Sequence, residues 1–288
     1  MHRRRMTDDD RARNVLWLLA HPDHRSLSHA LCADGVAYLR ALGHGVHLVD
    51  LHADGFDPVL TDADTEPGAA TLSARQRDAT EHATLPPEIL RHQDAVRAAD
   101  ILIVQFPLWW YGMPAILKGW FDRVFTNGFA FGIRDAAGRV RKYGDGGLAG
   151  RRLLPIVTAG DRATALGPRG NSGDLEDVLW PLLHGTAHYT GMAPLRPHLV
   201  ASVHHRGDAL AETAPELRAR LNGAFAEEPL RYRTLTGGDY GADHALAEHI
   251  APNATGFAIH RAGCDPLASR HARDHDLRTR RPRGDGVG

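Results

Sequence analysis

The sequence predicts an α/β fold in which a five-stranded parallel sheet carries helices on both faces. Five short apolar runs lie between residues 15 and 203, and segments of helical periodicity separate most of them. The runs are rich in Val, Ile and Leu, as is typical of parallel strands that are buried on both faces. Because helices connect successive strands, this order predicts crossover connections and a doubly wound sheet.

The first two strands and the first helix each have a local signal. Residues 15–20 form an unbroken apolar run that ends before Pro22, where a strand cannot continue. Ser26 or Ser28 can cap the helix that follows, and Gly43 is a typical stop. A second strand is predicted over 46–51. The stretch 52–87, rich in Asp, Pro and Gly, is expected to be a loop.

The middle of the chain is organised around ILIVQFPLWWYGMPAILKGWFDRVF, residues 101–125. A helix over 88–99 leads into it, and a buried strand is predicted over 101–104. The strand breaks at Pro107, an aromatic loop follows, and Pro114 stands where the first turn of a helix tolerates proline. Residues 126–150, rich in Gly and charge, are expected to be irregular.

The remaining elements repeat the pattern of strand, loop and helix. A strand over 153–157 runs into the loop TAGD, and a helix over 175–189 is expected to be kinked at Pro181. A fifth strand over 198–203 and an amphipathic helix over 214–225 complete the predicted sheet.

Composition narrows the expected class of protein. The 288 residues have a formal net charge of −1, so neither a nucleic acid nor an anionic membrane is the expected partner. Cys32 and Cys264 form no Cys-x-x-Cys motif, and no stretch has the length of a membrane helix or completes a signal peptide. We therefore expect a cytosolic protein. Its predicted parts are a disordered segment 1–13, a main domain 14–235, a C-terminal extension 236–270 and a disordered tail 271–288.

Three loops are expected to meet at the carboxyl edge of the sheet, where open α/β sheets bind ligands. The first, HPDHRSLSHA, supplies hydroxyls, imidazoles and the positive end of a helix, which suit a diphosphate. The second, PLWWYGMP, offers flat aromatic surface for a planar ring. The third, TAGD, has small residues that let a ring lie close to the backbone. Together they predict a flavin pocket.

Each of these features also has a purely structural explanation. Trp109, Trp110 and Tyr111 are equally typical of a core or a dimer interface, and Ser26 and Ser28 of helix caps. The chain has no G-x-G-x-x-G and no Walker lysine, which counts against a dinucleotide Rossmann site and a P-loop NTPase. The convergence of three separate loops at one edge favours ligand binding.

These segments resemble the NAD(P)H:quinone oxidoreductase (DT-diaphorase) family of flavodoxin-like flavoproteins. The resemblance spans roughly Val15 to Tyr240 and is most specific in QFPLWWYGMPAILKGWFDRVF, then in GFAFG, YGDGGLAGRR and WPLLHGTAHYTGM. It implies a flavodoxin-like fold, a homodimer, and hydride transfer from NADH or NADPH through flavin N5 to a quinone or similar acceptor. FAD is implied first, with FMN, which shorter bacterial relatives carry, as the alternative.

The site residues that the resemblance implies lie mostly in the same three loops. The implied cofactor contacts are His21, Leu27, Ser28, Pro107, Leu108, Trp109, Trp110, Tyr111, Thr158, Ala159, Gly160 and Asp161. The implied substrate contacts are Trp110, Tyr111, Phe131, Ile133 and Gly160. Of these, Phe131 and Ile133 match positions that close the pocket from the partner subunit, so the implied site is shared between two chains.

The chain departs from the family at a proton relay. Mammalian members carry a tyrosine and a histidine after the second flavin loop, whereas this chain has Leu166 and Ser172 at the aligned positions. Neither side chain is a general acid near neutral pH. Either another group such as Tyr111 or Tyr143 assists protonation, or solvent protonates the quinol anion. We favour solvent, and no catalytic residue is assigned.

His184 and His188 have the i, i+4 spacing of a helical metal site, and one metal-binding branch of the family has two histidine ligands there. That branch has a cysteine as third ligand, where this chain has Tyr232, and Cys264 is the one conceivable replacement. No metal is therefore predicted. The same branch lacks a C-terminal extension and prefers truncated nicotinamide donors, so the extension here predicts NADH or NADPH as donor.

Two other classes of function are open at this point. One is a flavin-binding regulatory subunit of an ion-efflux system, because relatives associate with potassium-efflux systems. The other is a flavodoxin-like electron carrier. The aromatic pocket and the helix at Pro114 favour the enzyme, because an electron carrier needs an exposed flavin edge.

Overall fold

The computed structural model describes residues 11–68, 70–205 and 208–263. Its centre is a parallel sheet with the strand order β2-β1-β3-β4-β5, in which a sixth strand also pairs with β4. The strands are β1 (Asn14–Leu19), β2 (Gly45–Asp50), β3 (Ile101–Pro107), β4 (Arg152–Thr158), β5 (Ala193–Pro194) and β6 (His198–Val200). This order is that of a flavodoxin-type doubly wound sheet, as the sequence predicts.

Helices connect the strands and cover both faces of the sheet. The α-helices are α1 (Leu27–Ala41), α2 (Leu72–Glu81), α3 (Pro87–Ala98), α4 (Ala115–Val124), α5 (Leu175–Val178), α6 (Trp180–Leu182) and α7 (Ala209–Gly223). A π-helix, Leu183–His188, continues α6. Helices α1 and α7 contact each other, and α3 contacts α4 and β1.

Successive side chains of a strand point to opposite faces of the sheet, so a strand that is buried throughout needs helices on both faces. Every residue of β3 is buried, as are the last five of β1, so neither face of these central strands reaches water. Val15, Trp17 and Leu19 belong to the core cluster that includes the buried apolar side chains of α1 and α7. Burying such side chains contributes roughly 1.5–3 kcal/mol each, so this layer stabilises the fold substantially.

Four predicted elements differ from the structure, one of them the last helix, which was predicted over 214–225 and spans Ala209–Gly223. The loop expected over 52–87 is wrong in its second half, because Leu72–Glu81 is a helix capped by the Thr71 side chain. This helix buries only Gln76 and Ala79, so the sequence shows no apolar stripe. The helix expected over 175–189 is broken into α5, α6 and the π-helix, with the interruption at Leu179, beside the predicted kink at Pro181.

The strand at the fifth position of the sheet is also shorter than expected. Two short strands occupy it, β5 beside the start of β4 and β6 beside its end. The predicted strand 198–203 stops at Val200, and a 3₁₀ turn over Val203–His205 follows. The chain therefore turns at the carboxyl edge of β4, close to where the loop after β4 begins.

The chain divides into two compact units between Leu230 and Arg231, slightly before the boundary predicted between 235 and 236. In the second unit, Tyr232 and Arg261 form an antiparallel bridge, and the Arg233 guanidinium lies 2.7 Å from the Asp239 carboxylate. Residues 1–10 and 264–288 lie outside the described part of the chain, and with them the predicted tail 271–288, most of the predicted segment 1–13 and Cys264.

Candidate functional site

The candidate site lies at the carboxyl ends of β1, β3 and β4. Since β2 and β3 lie on opposite sides of β1, the strand order reverses there, and ligands bind outside such a switch point in open α/β sheets. The loops after the three strands converge on a cleft of about 380 Å³. Its lining residues are His21, Ser26, Leu27, Ser28, Pro107, Leu108, Trp109, Thr158, Gly160, Val203 and His204.

The N-terminus of α1 forms one end of this cleft. Ser26 is the N-cap, and its Oγ accepts a hydrogen bond from the His29 backbone N–H at 3.3 Å. The first amides of a helix have no carbonyl partner within the helix, so those of Leu27 and Ser28 are directed out of its end. Backbone donors and the helix dipole at this point favour an anion.

Ser28 and Thr158 join the first loop to the third. Their hydroxyl oxygens lie 3.1 Å apart, and both residues are buried. The Leu108 backbone N–H donates to the Thr158 carbonyl at 2.8 Å, which extends the pairing of β3 and β4 into the cleft wall. Thr158, at the start of the third loop, is thus hydrogen-bonded to residues next to each of the other two loops.

Gln105 anchors the same helix from below, and sequence reasoning missed it. Its Oε1 accepts from the Trp17 indole N–H at 2.9 Å, and its Nε2 donates to the Ser28 carbonyl at 2.8 Å. The side chain is fully buried, so both groups need these partners. The available signal was a glutamine within the otherwise apolar β3 run.

His21 presents a defined hydrogen-bond donor to the cleft. Its Nδ1 accepts from the Asp23 backbone N–H at 3.1 Å. Burial, and after it the neighbouring His29, lowers the pKa of His21, which favours the neutral ring at physiological pH. A neutral imidazole with Nδ1 as acceptor carries its proton on Nε2, which is then free to donate to a ligand.

The second loop contains a turn that aromatic residues rarely adopt. Trp110 and Tyr111 have φ values of 51° and 57°, and the Trp109 and Gly112 backbones exchange hydrogen bonds of 3.2 and 3.0 Å. This is the pattern of a type I′ turn, whose two central positions normally hold Asn, Asp or Gly. A bulky residue in the left-handed region costs about 1–3 kcal/mol, and such strain clusters at functional sites.

The third loop supplies the floor of the cleft. A Cβ placed on Gly160 would lie 2.9 Å from Cδ2 of His204, so this position has no room for a side chain without displacing the imidazole. Ala159 is buried, whereas Asp161 is exposed and outside the cleft. Leu166 is 3% exposed and packs into the interior. Sequence reasoning missed Val203 and His204 because they follow a strand whose end was placed too late.

A second, larger and more apolar cleft of about 440 Å³ lies beside the turn. Tyr111 and Phe131 contribute to its lining, together with residues of α4, α6 and the π-helix. Trp110 is 99% exposed and lines neither cleft, and Ile133 is half-buried and also outside both. Of the predicted substrate contacts, the structure therefore brings Tyr111 and Phe131 together here and leaves Gly160 in the smaller cleft.

Histidines cluster at two places in the described part of the chain. His184 and His188 have ring centroids 5.3 Å apart, and His184 stacks on Trp180 with centroids at 4.3 Å. Within the described ranges, one trio brings its metal-ligand atoms within 4.8 Å of one another, namely His24, His29 and Asp50. Two members of this trio are close because His29 Nε2 and Asp50 Oδ2 form a hydrogen bond of 2.9 Å. The third member, His24, is exposed.

In the described part of the chain, no helix has the length and apolar character needed to span a bilayer.

The fold and the loops at its switch point define a flavodoxin-like protein, and the sequence profile described as "Flavodoxin-like fold" matches residues 13–222. A ribosyldihydronicotinamide dehydrogenase-like protein from Penicillium crustosum is 35% identical, over 85% of this chain and 94% of its own. NAD(P)H dehydrogenase (quinone) 1 from Cavia porcellus is 34% identical, over 76% and 80% of the two chains. The chain therefore belongs to the NAD(P)H:quinone oxidoreductase family of flavodoxin-like proteins, as the resemblance implies, and is an oxidoreductase.

Solved structures agree with this assignment. A crystal structure from Klebsiella pneumoniae, described as a candidate quinone reductase, superposes with a TM-score of 0.82 at 33% identity. It covers 87% of this chain and 100% of its own. The NAD(P)H:quinone oxidoreductase from Methanothermobacter marburgensis, at 22% identity and a TM-score of 0.59, shows the same fold.

Proposed function

We propose that this chain is a flavin-dependent NAD(P)H dehydrogenase (quinone) that transfers two electrons from NADH or NADPH to a quinone or similar acceptor. The observation that carries the proposal is the convergence of three loops on one cleft at the switch point of the sheet. The family relatives support it, since one of them is named NAD(P)H dehydrogenase (quinone) 1.

The residues of the smaller cleft fit a flavin. The helix N-terminus at Leu27 and Ser28 suits the phosphate portion, and the neutral His21 ring adds a donor beside it. Trp109 and Leu108 wall the cleft, and the lack of a side chain at Gly160 lets the His204 imidazole lie against the floor. FAD is the proposed cofactor, with FMN as the alternative.

When bound, the flavin would supply the hydride chemistry, accepting hydride from the reduced nicotinamide and delivering two electrons to the acceptor. The chain's own residues would bind the flavin and the substrates, orient them and shield them from water. The apolar lining of the larger cleft, which includes Tyr111 and Phe131, excludes water and offers flat surface to aromatic substrates. The buried Leu166 offers no proton, which is consistent with protonation of the product by solvent.

A homodimer with a shared pocket is part of the proposal. Trp110 projects almost its whole surface outward, and Tyr111 beside it is 54% exposed. Large exposed aromatic side chains next to an apolar cleft are typical of an interface. A second copy that covers this surface would complete the pocket. The proposed location is the cytosol.

The test is direct. Purified protein should be yellow, release a flavin that mass spectrometry identifies as FAD or FMN, and oxidise NADPH or NADH with a simple benzoquinone. Relatives named for dihydronicotinamide riboside and for NAD(P)H match at 35% and 34% identity, so all three donors should be compared. A colourless protein that binds no added flavin would end the proposal. Bound flavin without turnover would favour the regulatory subunit or the electron carrier.

A further inference from the structure

A chain of three side chains joins the aromatic turn to the loop after β4. The Tyr111 hydroxyl lies 3.2 Å from Ser172 Oγ, and Ser172 Oγ donates to Asp161 Oδ2 at 2.9 Å. The other Asp161 carboxylate oxygen accepts from the Arg162 backbone N–H at 2.8 Å. Tyr111 lies 61 residues before Ser172, whereas Ser172 and Asp161 belong to the same loop after β4 and are 11 residues apart.

The chemistry of the three groups fixes the direction of this chain. A carboxylate can only accept hydrogen bonds, so Asp161 takes the single hydroxyl proton of Ser172. Ser172 then has lone pairs alone to offer to Tyr111. The Tyr111 hydroxyl must therefore donate its own proton to Ser172, and its oxygen has only lone pairs left for a ligand.

The position of Tyr111 makes this polarity relevant to substrates. Its side chain borders the larger apolar cleft and is 54% exposed, and the left-handed backbone at residues 110 and 111 fixes where the ring stands. A ligand in that cleft meets a phenol oxygen that accepts hydrogen bonds and does not donate them. The carboxamide of a nicotinamide offers N–H donors, whereas a quinone offers only carbonyl acceptors.

We infer that Tyr111 is a specificity-determining residue that accepts a hydrogen bond from the nicotinamide carboxamide, and that Ser172 and Asp161 are positioning residues that set its polarity. The inference rests on the proposed function and assigns Tyr111 to the hydride donor rather than to the quinone. It also removes Tyr111 as a proton donor to the reduced acceptor.

The test separates the two half-reactions by stopped-flow, with variants compared at equal flavin occupancy. Tyr111→Phe should raise the Kd of NADPH, read from the concentration dependence of flavin reduction, by about two- to tenfold, the range expected for one neutral hydrogen bond. The limiting rate of flavin reduction and the rate of reoxidation by a benzoquinone should stay unchanged. Ser172→Ala should show the same split with a smaller effect.

Asp161→Asn is the decisive variant, because an amide can donate to Ser172 and so reverse the chain. The Tyr111 proton is then released toward the cleft. We expect weaker NADPH binding together with a severalfold faster reoxidation by the quinone. Two control variants, Tyr38→Phe and Ser73→Ala, remove a tyrosine and a serine hydroxyl at positions outside both clefts. Both should behave as the parent protein does.

The outcomes distinguish this inference from the proposed function. Absence of turnover in the parent protein would refute both. Normal turnover with equal losses in the two half-reactions of Tyr111→Phe, or with no loss in either, would refute the assignment of Tyr111 alone. Unchanged kinetics of Asp161→Asn would refute the polarity argument.

Discussion

Replacement of Gln105 by leucine tests whether the buried amide holds the phosphate end of the proposed site. Leucine has similar volume but leaves the Trp17 indole N–H and the Ser28 carbonyl without their buried partners. Each unsatisfied group costs about 1–3 kcal/mol, so the free energy of unfolding should fall by roughly 2–6 kcal/mol. For a chain of this size, that lowers Tm by about 4–24 °C. Flavin affinity should fall about tenfold as well, because the N-terminus of α1 loses its anchor.

Gln93→Leu is a matched control for this experiment. Gln93 is also fully buried, and its Nε2 donates to the Val124 carbonyl and to Thr126 Oγ1, each at 3.0 Å, on the other face of the sheet. It should lose comparable stability without losing flavin affinity. Urea unfolding of flavin-free protein and fluorescence titration with flavin measure the two quantities. Equal affinity losses in the two variants would contradict the anchoring role, and unchanged stability of Gln105→Leu would contradict the hydrogen-bond argument itself.

Three further predictions concern the cleft floor, the half-buried His198 and the buried Cys32. Gly160→Val places a Cβ 2.9 Å from the His204 ring, so flavin affinity should drop about tenfold. Fluorescence titration should show a partial recovery of affinity when His204→Ala is added. The absence of any recovery would contradict the proposed clash. Burial, and then the charge of Arg220, lowers the pKa of His198 below 6.5, so the unfolded state binds this proton first. The stabilisation that the neutral His198 ring provides is complete above about pH 6.5 and is lost as the pH falls through the lower pKa of the folded state. Between these two pH values, urea unfolding should show a smaller loss of stability for His198→Gln than for the parent protein. An unchanged pH dependence of stability would contradict this prediction. Burial raises the pKa of Cys32 to about 12, so in a Cys264→Ser background a thiol reagent should react only after unfolding, and rapid labelling of the native protein would contradict this.

The fold could be predicted wherever burial leaves a pattern in the sequence. The β3 run is apolar because it is covered on both faces, and α4 shows its inward stripe through Leu117, Trp120 and Val124. Helix α2 could not be predicted, because it buries only a glutamine and an alanine and is held by polar contacts such as the Thr71 cap and the hydrogen bond between Arg77 and the Gly132 carbonyl. Tertiary contacts, rather than local preference, divide the fifth strand position between β5 and β6.

The candidate site was predicted at the level of loops better than at the level of side chains. Eight residues named from the sequence line the cleft, because the backbone at the end of a parallel strand has to lie there. The contacts of Gln105, His204 and Ser172 depend on distances between segments that are remote in sequence. No local pattern encodes such distances, and Ser172 in particular looked only like the loss of a relay.

The turn at Trp110 and Tyr111 has a consequence for attempts to engineer this protein. Asn or Gly at either position would suit the left-handed backbone, and a screen that rewards heat resistance alone would accumulate them. The exposed indole of Trp110 contributes no packing within the chain that would oppose such a change. A library selected in this way would become enriched in variants that are more stable but lack the aromatic side chains at positions 110 and 111. Selection on turnover has to accompany selection on stability at these two positions.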